Sequence, residues 1–247
     1  MRVHAIDTYT EAVVERIAKI KSSQGPLIET VAKKIFDSLN AGGVWNLFGS
    51  GHSHMVVEEA FHRAGGLIPV NPWLEEYLMP HSSPARGGPL ERLPGLARVI
   101  FDIYKPKSGE VLTIISNSGI NNTSVEMAQI AKNEKLVTVA ITNLEHSRQT
   151  TSRNADQKKL FEICDHVIDT GGVKGDAVVT LPHLDVPVGP LSGILGSYIV
   201  NSLVVRVCEL YAEAGKSAPV YLSANVPGGD ERYRKLEELY RPRIKRL

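Results

Sequence analysis

The sequence predicts an α/β fold, with a parallel sheet, helices packed against it and further helices at both ends of the chain. Three observations lead there. From Val44 onward short apolar runs alternate with helical stretches, the pattern of βαβ units. Before Val44 and near the C-terminus the apolar residues recur at helical spacing. Glycines and hydroxyl residues gather where the strands should end. The 247 residues, 43% of them hydrophobic, suffice for a substantial core, as one large domain or two small ones. With no internal repeat, low-complexity tract or evident linker, a single α/β domain with terminal helices is the simplest organisation.

In chain order, Ala12, Val13, Ile17 and Ile20 predict an amphipathic helix over Thr8–Lys21. Gly25-Pro26 interrupts it, Pro26 suiting a first helical turn. Leu27, Val31, Ile35 and Leu39 then mark a second helix, ended by Asn40 and Gly42-Gly43. Strands are expected at Val44–Phe48, Leu67–Val70, Val111–Ile115, Leu136–Ile141 and His166–Ile168. Helices fill the intervals at His54–Ala64, Leu93–Tyr104 and Thr123–Asn133. A long apolar helix over Leu191–Ala214 follows, then a short charged one over Glu231–Tyr240 that stops before Pro242. Asn71–Pro89, with Trp73, Tyr77, Met79 and His81, is too long for a plain connection. So is Gly171–Pro190, with His183 and Asp185. Loops of that length in a compact domain usually carry function.

Composition removes several function classes. Lys+Arg number 28 against 27 Asp+Glu, a net charge of +1, so no nucleic-acid partner is expected. No apolar run approaches the ~20 residues needed to cross a bilayer, and no membrane partner is expected. Met1–Thr10 lacks the basic start and apolar core of a signal peptide. Cys164 and Cys208 lie far apart without metal or redox spacing, which makes a reduced, cytoplasmic protein the default.

The chemistry concentrates at strand ends. The first expected strand runs into Gly49-Ser50-Gly51-His52-Ser53-His54, and the third into Ser116-Asn117-Ser118-Gly119, then Asn121, Asn122, Thr123 and Ser124. The fourth runs into Thr142-Asn143, then Glu145, His146 and Ser147. In an open parallel sheet, ligands bind beyond the carboxyl ends of the strands, where strand order reverses. Helix N-termini there offer unpaired N–H groups and a positive dipole end, and Ser and Thr add donors. No Lys follows Gly51 in P-loop register, and the GxGxxG fingerprint is met only in its first two glycines. Gly and Ser serve turn geometry at any βα junction. Two such loops on one sheet edge, without Lys or Arg, instead suit a monophosphate on a small polar molecule.

Phe48-Gly49-Ser50-Gly51-His52-Ser53, Ile115-Ser116-Asn117-Ser118-Gly119 and Val139-Ala140-Ile141-Thr142-Asn143 resemble the sugar isomerase (SIS) domain. The resemblance runs from roughly Val31 to Ala214, and Val188-Gly189-Pro190-Leu191-Ser192 resembles the opening of that domain's last helix. The I-S-x-S-G element is the most specific part. FGSGHSH, EHS and SANVPGGDER together are similar to a small bacterial subfamily of SIS proteins, some of them called phosphoheptose isomerases. The resemblance implies a three-layer αβα sandwich with a five-stranded parallel, flavodoxin-like sheet, assembled as a dimer or tetramer. The chain then divides into an N-terminal helical segment (1–30), a SIS domain (31–214) and a C-terminal tail and helix (215–247). It also implies a phosphosugar cradle built from Ser50, Gly51, Ser53, Ser116, Asn117, Ser118 and Thr123. SIS proteins include aldose–ketose isomerases, a lactyl ether hydrolase of muramic acid phosphate, and regulators that only bind phosphosugars. Fold therefore constrains the ligand better than the reaction.

Isomerisation through an enediol needs a base at the carbon that loses its proton, a proton shuttle and a polarised carbonyl. Glu58 and Glu59 lie about one and a half turns down the helix that opens at the first phosphate loop. Neighbouring helix positions are ~100° apart, so only one of them faces the crevice. Glu59, with His62 and Arg63 at i+3 and i+4, is preferred. Related phosphoheptose isomerases carry an acidic pair on a comparable helix, at a longer spacing from the loop. Glu75 and Glu76, in the loop after the second strand, compete for the role. His52, His54, His62 and His81 fall within thirty residues, with His146 and His183 on later loops. The dipole at a helix start favours a neutral imidazole, able to relay protons. These histidines lack HxxxH or HExxH spacing, so no metal and no cofactor are expected.

The expected protein is a cytoplasmic, metal-independent sugar-phosphate isomerase, with Glu59 as base and His54 or His81 as shuttle. A non-catalytic phosphosugar-binding regulator is one alternative. An amino-sugar-phosphate lyase or etherase is another, because it starts with the same proton abstraction. Ser223 and Asn225 suit closure over the site, and Glu145–Lys159 is polar enough to contact a sugar. Ile194, Leu195, Tyr198, Ile199, Leu203, Val204, Val205 and Val207 cannot all face one sheet, so self-association is expected.

Overall fold

The computed structural model describes residues 4–223, 225–227 and 229–247, the side chains of 229–233 excepted. Its helices are α1 (Ala5–Asn40), α2 (His54–Ala60), α3 (Pro84–Leu90), α4 (Leu96–Tyr104), α5 (Asn122–Asn133), α6 (Leu144–Arg148), α7 (Leu160–Ile163), α8 (Ser192–Glu213) and α9 (Gly229–Tyr240). Its strands are β1 (Trp45–Gly49), β2 (Val70–Trp73), β3 (Val111–Ile115), β4 (Val137–Thr142) and β5 (His166–Asp169), with a small hairpin of β6 (Ala177–Val179) and β7 (Val188–Pro190).

The five long strands are parallel and lie in the order β2-β1-β3-β4-β5, the doubly wound, flavodoxin-like arrangement. Alternate side chains feed two cores. Trp45, Leu47, Val111, Ile115, Val139 and Ile141 pack with α1, α2 and α8 on one face. Phe48, Leu112, Ile114 and Ala140 pack with α4, α5 and α7 on the other. The result is the three-layer sandwich.

Several elements differ from the sequence expectation. The two expected N-terminal helices are one, with Pro26 inside it. Proline costs an interior helix ~3 kcal/mol, yet Ile20 on one side of it and Ile28, Val31 and Ile35 on the other all bury against the sheet and α8. Gln24 Oε1 also accepts the Asp169 N–H at 3.1 Å, holding the helix beside the proline. The second strand lies three residues later than expected and runs through Pro72, tolerated because β2 is an edge strand. Leu67 instead bridges to Val220 in the tail. Helix α2 ends at Ala60, with Phe61 extended and His62 at φ 47°. The long loop after β2 contains α3, and the one after β5 contains the β6–β7 hairpin.

By length and composition α8 is long and apolar enough to cross a membrane. Its Leu195, Ile199, Leu203 and Val207 are instead buried in the core. Together α1, α2 and the sheet cover most of the apolar circumference, leaving Ile194 at 40% and Val205 at 67% exposure. The tail is fastened at the far end of the sheet, where Arg243 reaches the buried Glu110 at 2.6 Å, and at the end of edge strand β2, where Arg246 donates to the Leu74 carbonyl oxygen. None of its described residues lines the cleft discussed next. Ser223 and Asn225, expected to close over the site, do not line that cleft; Ser223 Oγ accepts the Asn225 N–H at 3.2 Å.

Candidate functional site

Gly49 of β1 lies opposite Ile115 of β3, so Ser50 and Ser116 leave the sheet side by side where the strand order reverses. After Ser50 a single 3-10 turn, Gly51–Ser53, leads into α2. A Cβ on Gly49 would stand 2.7 Å from the Ser53 carbonyl oxygen, so this turn folds back on the strand only over glycine. After β3, Ser116–Gly119 passes into α5, with Asn121 as its N-cap. Between the two loops opens a cleft of about 260 Å³.

Ser50, Gly51, Ser53, Ser116, Asn117 and Ser118 all line it, and no Lys or Arg does among the described residues. The hydroxyls are not equivalent. Ser50 donates to Glu91 Oε2 at 2.9 Å. Ser116 Oγ accepts the Gly119 N–H at 3.1 Å. Among the described residues no protein acceptor takes the hydroxyl hydrogens of Ser53, Ser116 or Ser118. Thr123 is fully buried behind the cleft, where its N–H and its hydroxyl both donate to the Glu91 carbonyl oxygen at 3.1 Å.

Glu91 was not among the carboxylates singled out in the sequence. It follows α3, and its second oxygen accepts the Asn121 Nδ2–H at 2.8 Å. Its backbone carbonyl, satisfying the Thr123 amide, helps cap α5. Nothing in local spacing marks it, because only the return of the chain after β2 brings it over the end of β1. On the opposite wall stand His146, Thr170, Asp176 and Ser192. Asp176 accepts the N–H groups of Leu191 and Ser192 at 3.2 and 2.8 Å and the Ser192 hydroxyl at 2.7 Å, capping α8. His146 Nδ1 faces the Gly175 N–H at 3.4 Å, so the neutral ring carries its proton on Nε2.

A profile described as "SIS domain" matches residues 8–143, more than half of the chain. The chain belongs to the SIS domain family. A UPF0309 protein of Geobacillus thermodenitrificans is 38% identical over 239 residues, covering 97% of this chain and 96% of the relative. A UPF0309 protein of Caldanaerobacter subterraneus is 40% identical over 245 residues, 98% of this chain and all of the relative (100%). Among solved structures, a phosphoheptose isomerase from Francisella tularensis aligns with a TM-score of 0.54 at 14% identity, over 83% of this chain and 96% of that one. An Escherichia coli CFT073 protein in complex with A5P aligns with a TM-score of 0.51 at 13% identity, over 85% and 90%. These two share the SIS fold with this chain.

Of the other candidate residues His52 also lines the SIS cleft, and the following lie around it. Glu59 faces α8, where its Oε1 accepts the Asn201 Nδ2–H at 2.8 Å and pairs with Arg63. Glu58 is exposed, 3.7 Å from His54 Nε2. Glu75 sits beside Tyr77 and Tyr104; burial first, and then that carboxylate, pushes the Tyr104 hydroxyl up to about 12. Glu76 is exposed. His54 is buried at the start of α2, its Nδ1 donating to the Gly51 carbonyl oxygen. His81 is exposed, with its ring 5.7 Å from that of His54. His62 pairs with the buried Glu237 at 3.2 Å. In the stretch 145–159 only His146 lines the cleft among the described residues; Ser152 donates to the Lys158 carbonyl oxygen at 2.6 Å, and Lys159 Nζ to that of Ser147 at 2.7 Å.

Proposed function

We propose that this cytoplasmic SIS protein binds a phosphorylated sugar or amino sugar in the cleft and isomerises it, with Glu91 as the base. The observation that carries the reading is the pairing of Glu91 with Ser50 beside a row of uncommitted hydroxyls. Ser53, Ser116 and Ser118, with Asn117, hold the phosphate; hydroxyls and amides bind it without a fixed cation. The carbon skeleton then extends towards Ser50, Glu91 and His146.

Glu91 takes the proton from the carbon next to the carbonyl. The C–H electron pair becomes the C=C bond of an enediol, and the carbonyl oxygen receives the Nε2 proton of His146. Return of a proton from Glu91 to the neighbouring carbon, with His146 recovering one from the other oxygen, completes the exchange. His146 is preferred to His54 and His81 because it lines the cleft, and Glu91 to Glu59 for the same reason. The similarity to a phosphoheptose isomerase and to a protein solved with A5P supports the ligand class. Self-association belongs to the proposal too, through Ile194 and the exposed Leu184, Val186 and Val188 around β7. Sedimentation at two protein concentrations tests it, and a monomer at both would refute it.

A second reading, binding without turnover, has its own observation: both Glu91 oxygens already hold hydrogen bonds from the protein. Two measurements separate them. Thermal shifts with a panel of aldose and ketose phosphates, against the free sugars, test the cradle. Proton NMR in D2O then reads loss of the C–H signal next to the carbonyl. Stabilisation with exchange and an isomeric sugar phosphate as product supports the isomerase, exchange with elimination the lyase or etherase, and stabilisation without exchange the regulator. Equal stabilisation by the free sugars overturns both.

A further inference from the structure

An amide group has a donor end and an acceptor end, and which way it faces decides what charge it supports. Asn121 stands between two charged side chains. Its Oδ1 receives the Arg153 NH1 hydrogen at 2.7 Å, and its Nδ2 donates to Glu91 Oε1 at 2.8 Å. Guanidinium has five donors and no acceptor, so the atom turned to Arg153 can only be the oxygen. The nitrogen is thereby committed to Glu91.

The arrangement is built rather than incidental. The Arg153 N–H is bonded to the Ile120 carbonyl oxygen at 3.0 Å, fixing the arginine beside the start of α5. A second bridge runs parallel one residue on, from Asn154 Nδ2 to Asn122 Oδ1 at 3.2 Å and from Asn122 Nδ2 to the Arg92 carbonyl oxygen at 2.6 Å. Residues 153–154 thus clamp 121–122 onto 91–92. Arg153 itself is exposed and lines neither wall of the cleft.

We propose that Arg153 is a positioning residue: by holding the Asn121 amide in one orientation it keeps a donor on the Glu91 carboxylate and holds it aimed into the cleft. This rests on the reading of Glu91 as the base, but its test needs no ligand. The other titratable groups facing Glu91 are His52 of the 3-10 turn, His146 of α6 and Asp176 before α8. Each of these stays in place in the variants below.

The experiment follows the Glu91 side-chain carboxyl by 13C NMR through a pH titration of the folded protein, assigned by its disappearance in Glu91→Gln. In Arg153→Met the amide is free to turn its oxygen to Glu91, so the titration midpoint moves up by about one pH unit. Arg153→Lys keeps a donor on Oδ1 and restores most of the shift. In an Asn121→Ala background, Arg153→Met adds little further, because the path runs through the amide. An unchanged midpoint in Arg153→Met overturns the proposal. So does an equal shift with and without Asn121, which would mean charge acting through space. Failure of the isomerase reading appears elsewhere, as absence of C–H exchange with every sugar phosphate.

Discussion

Ser50 donates its hydroxyl hydrogen to Glu91 across 2.9 Å, joining the end of the first strand to a residue 41 positions later. The pair couples the uncommitted hydroxyls to the one carboxylate that reaches them from the loop after β2. Glu91→Gln keeps the shape but removes the base. The expected outcome is a loss of about 10²–10⁴-fold in C–H exchange, with ligand-induced thermal shift retained. Exchange rates in D2O and melting curves with and without sugar phosphate check it. An unimpaired exchange rate would move the base elsewhere.

The cradle residues separate into binding and structural groups. Ser53→Ala and Ser118→Ala each remove a hydroxyl that no group among the described residues uses, so apo stability changes by less than about 0.5 kcal/mol. Phosphate-dependent stabilisation falls in both. Thr123→Ala does the reverse. It removes the hydroxyl bond to the Glu91 carbonyl oxygen and costs stability by about 1 kcal/mol, more if that oxygen is left without its second donor. Urea denaturation paired with ligand thermal shifts reads both effects for each variant.

Gly49→Ala tests the turn itself. The added Cβ meets the Ser53 backbone oxygen at 2.7 Å, and backbone gives way less readily than a flexible side chain. Destabilisation of about 1–3 kcal/mol is expected, with ligand binding reduced because the first loop is displaced. Gly88→Ala is the control, since nothing lies within 4 Å of the added carbon. Equal denaturation midpoints for the two variants would contradict the geometry.

Much of this was legible in the sequence, and the exceptions share a cause. Periodicity marks β1, β3, β4, β5 and α5 because their burial is local and regular. It fails at Pro26, where a tertiary contact from Asp169 to Gln24 keeps the helix going, and at Pro72, where only the strand's place at the sheet edge makes proline acceptable. The strand-end serines announce themselves by type and position. Glu91 does not, since it looks like any charged residue between a proline-rich stretch and a helix. Its role comes from a loop path that no residue pattern encodes. Glu59 shows the converse, an acidic residue well placed on its own helix whose partner, Asn201, lies far along the chain on α8.

Asp165 gives a pH dependence unconnected with the cleft. Burial pushes its carboxyl up, but hydrogen bonds from the Thr138 N–H and hydroxyl and from Lys132 outweigh that and hold it below its ordinary value. A depressed value in the folded state means stability that is fully present above the unfolded value and is lost as pH falls through the folded one. Asp165→Asn is therefore less stable than wild type at pH 7. The gap narrows below about pH 4 as the wild-type carboxylate takes up its proton. Urea midpoints at the two pH values decide it, and a gap independent of pH would refute the assignment.

The long first helix has a consequence for how the molecule is made. Ile28, Val31 and Ile35 bury against residues of α8 such as Leu203 and Val207, and Arg206 ties α8 to Glu29 near the same place. A ribosome emitting about 5–20 residues per second leaves that helix without its partner for roughly 10–35 s. The part of its apolar stripe that α8 covers stays exposed throughout, while the strands of the sheet emerge one at a time. Closure of the domain is thus deferred until α8 has been synthesised. Nascent chains arrested before α8 should be protease-sensitive and chaperone-bound, whereas arrest just after it should release a protected core.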